Sequence, residues 1–366
     1  MKRFSFIILL LCSINFTYSV NYSKVDKLSG SVPSGMKTPD QIAGYLTKGL
    51  TSPFEKTRAI YYWISHNIKY DVAAMNSNDT YINSKELVDA VLKRKMGVCA
   101  HYAELFHALC KSAGVESFVI SGYTITNGQV ARLPHAWNAV RIKSRFYAID
   151  ATWAAGHFMN GKYRQVFNDE YFLINPSVFI KTHIPFDPIW QFLDNPVSHV
   201  DVEKRNFSKL KVRSNFHYAD SIKVMSKLNK ADKYLRENLR IRKSGLANPL
   251  IRKYVAYNEE YIVSEKFNQA VGLFNKGVED FNLYVMSKNN QFKDVSVNKE
   301  RIRNMLLVSQ REIESADKIL NSLNSSNASL NRQGRDMGTS INEIKKTIRE
   351  ENLFLEKYFK SLRHFR

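Results

Sequence analysis

A cysteine in the first turn of a helix, followed by a histidine and an aspartate on what read as two paired strands, constrains this chain more than any other feature. The helix is legible from spacing: Tyr102, Phe106, Leu109, Cys110 and Ala113 recur at three and four residues, and Gly114 stands where a left-handed cap is expected. Cys99 then lies in the first turn, where unpaired backbone N–H groups and the positive end of the helix dipole favour a thiolate and lower its pKa. Cys110 falls on the apolar face and reads as an ordinary buried cysteine.

Residues 135–142 and 145–153 are rich in strand-forming side chains, with Lys143-Ser144 between them as a two-residue turn. If Ile142 pairs with Arg145, Ala139 lies opposite Ala148 and Trp137 opposite Asp150. His135 then shares a face with Asp150, one diagonal step away at roughly 7–8 Å between backbones. A slip of one residue would put the two on opposite faces. The turn lacks the Gly or Asn such turns prefer. Cys99, His135 and Asp150 thus supply a nucleophile, a base and an orienter.

The stretches Met96-Gly97-Val98-Cys99, Leu133-Pro134-His135-Ala136-Trp137-Asn138-Ala139-Val140 and Tyr147-Ala148-Ile149-Asp150-Ala151-Thr152-Trp153 resemble the three ordered motifs of the transglutaminase-like superfamily. The flanks agree, from Arg58 to Asp71 upstream and in Tyr171–Pro176 and Thr182–Pro185 downstream. In pattern they are similar to the branch of kyphoscoliosis peptidase and the cytokinesis proteins, over roughly residues 35–200. The resemblance implies an α+β, papain-like core in which a helix-borne Cys99 packs on an antiparallel sheet carrying His135 and Asp150 as catalytic residues. Some relatives have lost the triad and act as scaffolds; all three residues are present here.

Residues 1–19 read as a secretory signal, with Lys2-Arg3, an apolar run from Phe4 to Cys12 and Thr17-Tyr18-Ser19 before a cleavage point. Acylation of Cys12 and a plain N-terminal strand or helix are the alternatives. Without that leader Cys99 and Cys110 remain. Eleven residues apart on one helix separates them by roughly 16 Å, beyond the ~7 Å limit of a disulfide. An exported, periplasmic, cell-surface or extracellular chain that keeps an unpaired thiol is a candidate for a reactive cysteine.

The 366 residues are expected to divide into the leader, a transglutaminase-like catalytic domain at 20–200 and a helical bundle or coiled-coil-like region at 201–366. Residues 20–38 read as a loose lead-in. Helices are expected from Pro39, from Phe54 to Tyr70 with Trp63 as core, and within Asn83–Met96, where Lys93-Arg94-Lys95 suits a helix end. Ser117–Thr126 reads as a strand, and the proline-rich run to residue 200 as a wrap around the domain edge. Beyond it Ile222, Met225, Leu228, Leu235 and Leu239 mark one helical segment, and a long stretch runs from Tyr254 to Tyr284. Two seams follow, Ile302–Leu323 and Met337–Leu362, joined near Asn324–Gly338.

The formal charge of +20 attracts anions in general, but the cations are spread singly, with no zinc spacing or dense basic block, so no specific nucleic-acid site is read. No cofactor is expected and no metal spacing is trusted among the nine histidines, which include His66, His101, His107, His157 and His183. No acidic loop has calcium-ligand spacing. No transmembrane span is expected after the leader.

The chemistry then expected is attack by Cys99 on an amide or related acyl carbonyl, with His135 moving the proton, Asp150 fixing the ring and the Cys99 N–H as one oxyanion donor, worth about 3–4 kcal/mol. Water as acceptor gives a peptidase or amidase, the leading reading; an amine gives a crosslinking transamidase. A non-catalytic adaptor is the third reading. Substrates would be proteins, peptides or cell-wall peptides, and the helical region a spacer or a partner's docking surface.

Overall fold

The computed structural model describes residues 22–30, 32–76, 83–211, 218–293 and 298–361. The leader, with Cys12, and Leu362 lie outside them. The backbone divides into two compact units, one ending at Ile184 and one beginning at Pro185.

In the first unit the helices begin where polar side chains take up orphan N–H groups. Thr38 and Gln41 form a reciprocal capping box at α2 (Pro39–Leu46), Ser52 caps α3 (Pro53–Asn67) and Asn83 caps α4 (Ser84–Arg94). They follow α1 (Ser23–Ser29), which stands where a loose lead-in was expected. An ion pair decides the difference: the buried Arg58 of α3 donates from Nε and Nη2 to both oxygens of Asp26, each at 2.7 Å, and from Nη1 to Asp169. A guanidinium only 2 % exposed requires such carboxylates, so α1 is held to the domain by charge.

α4 ends at Lys95 in the left-handed region (φ 53°), and the chain pairs β2 (Met96–Gly97) in parallel with β1 (Lys69–Tyr70). α5 (Cys99–Ser112) buries Tyr102, Phe106, Leu109 and Cys110 and closes at Gly114 with φ 71°. The main sheet is antiparallel, in the order β4 (Gln129–Val130), β3 (Ser117–Thr126), β5 (His135–Ile142), β6 (Arg145–Ile149). Ile142 faces Arg145 and Ala139 faces Ala148, the register expected from the sequence, with Lys143 at φ 57° taking the left-handed turn position without glycine. Trp63, Ile60 and Ile64 of α3 share one core with Phe106, Leu109, Val140 and Ile149. Each such side chain contributes about 1.5–3 kcal/mol by leaving water. β6 stops at Ile149, short of the expected strand end at 153, because Asp150 caps a short helix, α6 (Ala151–Ala155). A hairpin of β7 (His157–Met159) and β8 (Lys162–Arg164) follows.

The second unit takes in residues 185–200, which the sequence groups with the domain before them. Buried Asp187 accepts two hydrogen bonds from Arg240, Phe186 stacks on Tyr254, and the His199 N–H donates to Ser244 Oγ. Tyr218–Ser226 and Lys230–Ser244 are two helices rather than one, and Leu235 and Leu239, expected on the apolar face, are exposed; Asn238 and Ile241 are the buried positions. Pro249–Asn289 is one long helix; Lys299–Asn321 runs back along it and Ala328–Ser361 returns again. Tyr284, Leu306 and Leu355 meet in one apolar layer, and Ile313, Ile341 and Ile348 in another.

Candidate active site

The site begins at the tight entry to α5. Gly97 is required there by space: a Cβ would lie 2.4 Å from the Cβ of His101. His101, expected at the surface or in packing, is buried and accepts the Val98 N–H at Nδ1 (3.3 Å), so it closes the first turn. Cys99 is therefore the first residue of α5, half-buried, with an N–H that has no place in the helical ladder. Asn138 of β5 donates to the Ala103 carbonyl (2.9 Å) and pins the helix to the strand that begins at His135.

The three residues expected from the sequence come together. His135 Nε2 donates to Asp150 Oδ2 at 2.7 Å, and the ring's other nitrogen, Nδ1, is left for the Cys99 sulfur, with which His135 is hydrogen-bonded. Burial pushes the Cys99 thiol up, but the hydrogen bond and charge of His135 and the Ala136 N–H more than offset it, and the net shift is downward. Burial likewise opposes charge on His135, yet Asp150 and Cys99 raise the imidazolium to about 10. A thiolate facing an imidazolium is the arrangement these shifts favour.

Asp150 is fully buried and would be raised by burial alone; the two histidines beside it hold it well below the usual carboxylate range. Its Oδ1 accepts the N–H groups of Thr152 (2.8 Å) and Trp153 (3.0 Å), which is the same interaction that starts α6. Its Oδ2 accepts from His135 and also from His183 Nε2 at 3.2 Å. Sequence reasoning set His183 aside among histidines without a metal spacing. It is buried, stacked on Phe179 at 3.9 Å, with the Thr182 hydroxyl 2.9 Å from Nδ1. Burial lowers its pKa to about 4, so it is neutral near pH 7. A carboxylate only accepts, which fixes the Nε2–H tautomer and makes the Thr182 hydroxyl the donor to Nδ1. The signal in the sequence was the pair Thr182-His183 itself, but nothing in its spacing tied it to Asp150.

By residue type His135, Asp150 and His183 could also hold a metal ion. The 2.7 Å between His135 Nε2 and Asp150 Oδ2 is a hydrogen-bond length, whereas two ligands about 2.0–2.2 Å from a tetrahedral zinc stand roughly 3.3–3.5 Å apart. The donors fit hydrogen bonding better than coordination.

Residues 40–151, a span that takes in Cys99, His135 and Asp150, match the family model described as the transglutaminase-like superfamily. Among curated relatives, human kyphoscoliosis peptidase is 33 % identical over 178 residues, 46 % of this chain and 26 % of that protein. Hillarin of Drosophila melanogaster is 27 % identical over 229 residues, 56 % of this chain and 27 % of that protein. Cytokinesis protein 3 of Schizosaccharomyces pombe is 24 % identical over 185 residues, 48 % of this chain and 20 % of that protein. The chain thus spans about a quarter or less of the length of these relatives. With the helix-borne cysteine packed on an antiparallel sheet and the family match over the same residues, this chain carries a transglutaminase-like domain.

Proposed function

We propose that this protein is a thiol enzyme of acyl transfer, acting as a peptidase or amidase. The observation that carries the reading is the line Cys99, His135, Asp150, in which a half-buried sulfur faces an imidazole whose far nitrogen is held by a buried carboxylate. Cys99 attacks the acyl carbonyl as thiolate, and the oxyanion that forms is met by the Cys99 N–H at the start of α5. His135, already protonated, delivers its proton to the leaving amine. Water, deprotonated by His135, then opens the thioester and releases the acid. An amine in place of water would make the same site a crosslinking transamidase. That one relative is named a peptidase supports hydrolysis. Export is part of the proposal, supported by Lys2-Arg3 and the apolar run behind it.

Alkylation by iodoacetamide tests the site directly. Cys110 is buried and its thiol is pushed far up, so it stays silent. Cys99 is expected to label stoichiometrically at pH 7, with an acid limb below that of a free thiol. In His135→Ala the rate at pH 7 should drop about tenfold or more, since each unit of upward thiol shift costs about tenfold in thiolate. Labelling that ignores the substitution would leave an adaptor. Ammonia release from a glutamine peptide, with and without an added primary amine, then separates hydrolysis from crosslinking.

A further inference from the structure

A cavity of about 410 Å³ opens beside the site, with His135 in its lining, and it lies within the size range of small-ligand pockets. Aromatic rings make up much of its wall, with Thr126, Thr152, His157 and Asn168 between them. Tyr70, Phe158 and Tyr163 form one group, with Tyr70 stacked on Tyr163 at 5.1 Å and Phe158 edge-on to both at 6.0 and 5.5 Å. Trp153 and Tyr171 form a second, edge-to-face at 5.4 Å, with Trp153 5.7 Å from the His135 ring. The wall begins at the triad, since Trp153 donates its N–H to Asp150 and Tyr70 lies one strand over from Gly97 at the entry to α5.

We propose that this cavity is the specificity pocket of the enzyme and takes an uncharged aromatic side chain next to the acyl carbonyl that Cys99 attacks. The inference rests on the thiol-enzyme reading and names its substrate class.

Three observations favour an aromatic occupant over the others. No Asp, Glu, Lys or Arg is among the described residues that line the cavity, although 24 % of the chain is charged, so a charged side chain would be desolvated without a counter-ion. Rings alone could attract a cation, but the charges nearest the cavity, His135 with Cys99 and Asp150, are hydrogen-bonded to one another, so a charged guest of either sign finds no unengaged counter-ion. Edge-to-face and offset-stacked ring pairs, the geometry already present in both walls, are what an entering ring would extend.

The hairpin wall also has the character of a surface built to be covered. Phe158 is 46 % and Met159 50 % exposed at its tip, and Gly156, at its root, lets the Tyr163 hydroxyl approach to where a Cβ would be 2.6 Å away. That hydroxyl is enclosed with no hydrogen-bond partner among the described residues, so this end of the wall is held by packing.

The test uses the full chain and four N-acetylated amino-acid chloromethyl ketones, bearing the side chains of phenylalanine, alanine, lysine and glutamate. The phenylalanine probe is expected to modify Cys99 at least tenfold faster than each of the other three. In Phe158→Ala the phenylalanine-to-alanine rate ratio should fall at least threefold, while Phe158→Leu should retain most of it. Rates for the four probes within twofold of one another, or a charged probe fastest, overturn the pocket; if iodoacetamide labelling still depends on His135, the enzyme reading stands without it. Should that dependence fail instead, calorimetric binding to Cys99→Ala protein decides the pocket alone: N-acetylphenylalaninamide bound more tightly than N-acetyllysinamide supports it, and equal or reversed affinities overturn it.

Discussion

Asp150 accepts four hydrogen bonds on two oxygens, and each donor has a separate consequence. The two backbone donors fix the carboxylate at the start of α6; the two imidazoles divide the other oxygen between the proposed base, His135, and a positioning residue, His183. Replacing His183 by phenylalanine keeps the stack on Phe179 but leaves Oδ2 with a single donor. Asp150 then becomes easier to protonate, and the acid limb of Cys99 alkylation should move to higher pH, with a rate loss at pH 6 of about fivefold or more, on the order of the net worth of one hydrogen bond to a charged group. Glutamine, which can present an N–H at a similar reach, should restore part of both. A rate loss with an unmoved pH profile would mean that His183 only fills space. Cys99 at a helix start and His135 beside Asp150 were each legible in the sequence, because a helix start and a two-residue hairpin impose short-range rules; that the three meet was implied only by the family resemblance. His183 was not legible, because 33 residues separate it from its partner and only the folded chain brings residues 182–184 alongside β3, where Ile125 donates to Thr182.

At the level of elements, the register of β5 and β6 was readable from a two-residue turn between two strand-forming runs, and the limits of α5 from helical spacing and Gly114. The misses share a physical cause as well. α1 depends on a charge pair to Arg58, the end of β6 on a cap by the very residue that carries the carboxylate, and the placement of residues 185–200 on Arg240 and Tyr254; each is a tertiary contact that local propensity does not contain. In the helix Lys230–Ser244, Leu235 and Leu239 fit helical spacing, but polar Asn238 took the buried face, where it donates to the Val255 carbonyl and accepts from Asn258. The element on which the proposed chemistry depends most is the β2–α5 junction, and it tolerates no side chain at Gly97. Alanine there must displace His101, whose Nδ1 holds the Val98 N–H. Loss of about 1–3 kcal/mol of stability is expected from overpacking, with a slower alkylation of Cys99 as its first turn is disturbed. Urea denaturation and iodoacetamide kinetics on the same Gly97→Ala protein check both; wild-type values for either would remove the spatial role given to that glycine.

Across the whole molecule the two units carry buried titratable groups of opposite tendency, and this sets how each responds to pH. His183 in the first unit and His199 in the second are kept neutral by burial down to about 4. Between 4 and the ordinary value of 6.5 such a histidine binds fewer protons folded than unfolded, so its unit loses stability as pH falls through that window. In the first unit Asp150, depressed below 3.8, adds to the loss in stronger acid. Toward alkaline pH His135 holds a proton that the unfolded chain gives up, while Cys99 gives up one that the unfolded chain holds, and the two effects oppose each other. The second unit differs through Glu237, 8 % exposed and hydrogen-bonded by Tyr254, whose carboxyl burial raises to about 8. Asp187 nearby contributes to that rise, and Tyr254 and Arg240 offset only part of it. A carboxyl protonated up to 8 when folded and up to 4.5 when unfolded binds more protons folded between those values, so its unit weakens as pH rises. Below 6.5 this counteracts His199; from 6.5 to 8 it amounts to on the order of 2 kcal/mol. Glu237→Gln keeps an amide in the same place and removes the titration. Hydrogen exchange, corrected for its intrinsic pH dependence, should therefore show peptides from 230–289 losing protection between pH 6.5 and 8 in the wild type and holding it in Glu237→Gln, while peptides from 53–112 respond alike in both proteins. The same loss in the variant would place the pH sensitivity of the helical unit in some other group.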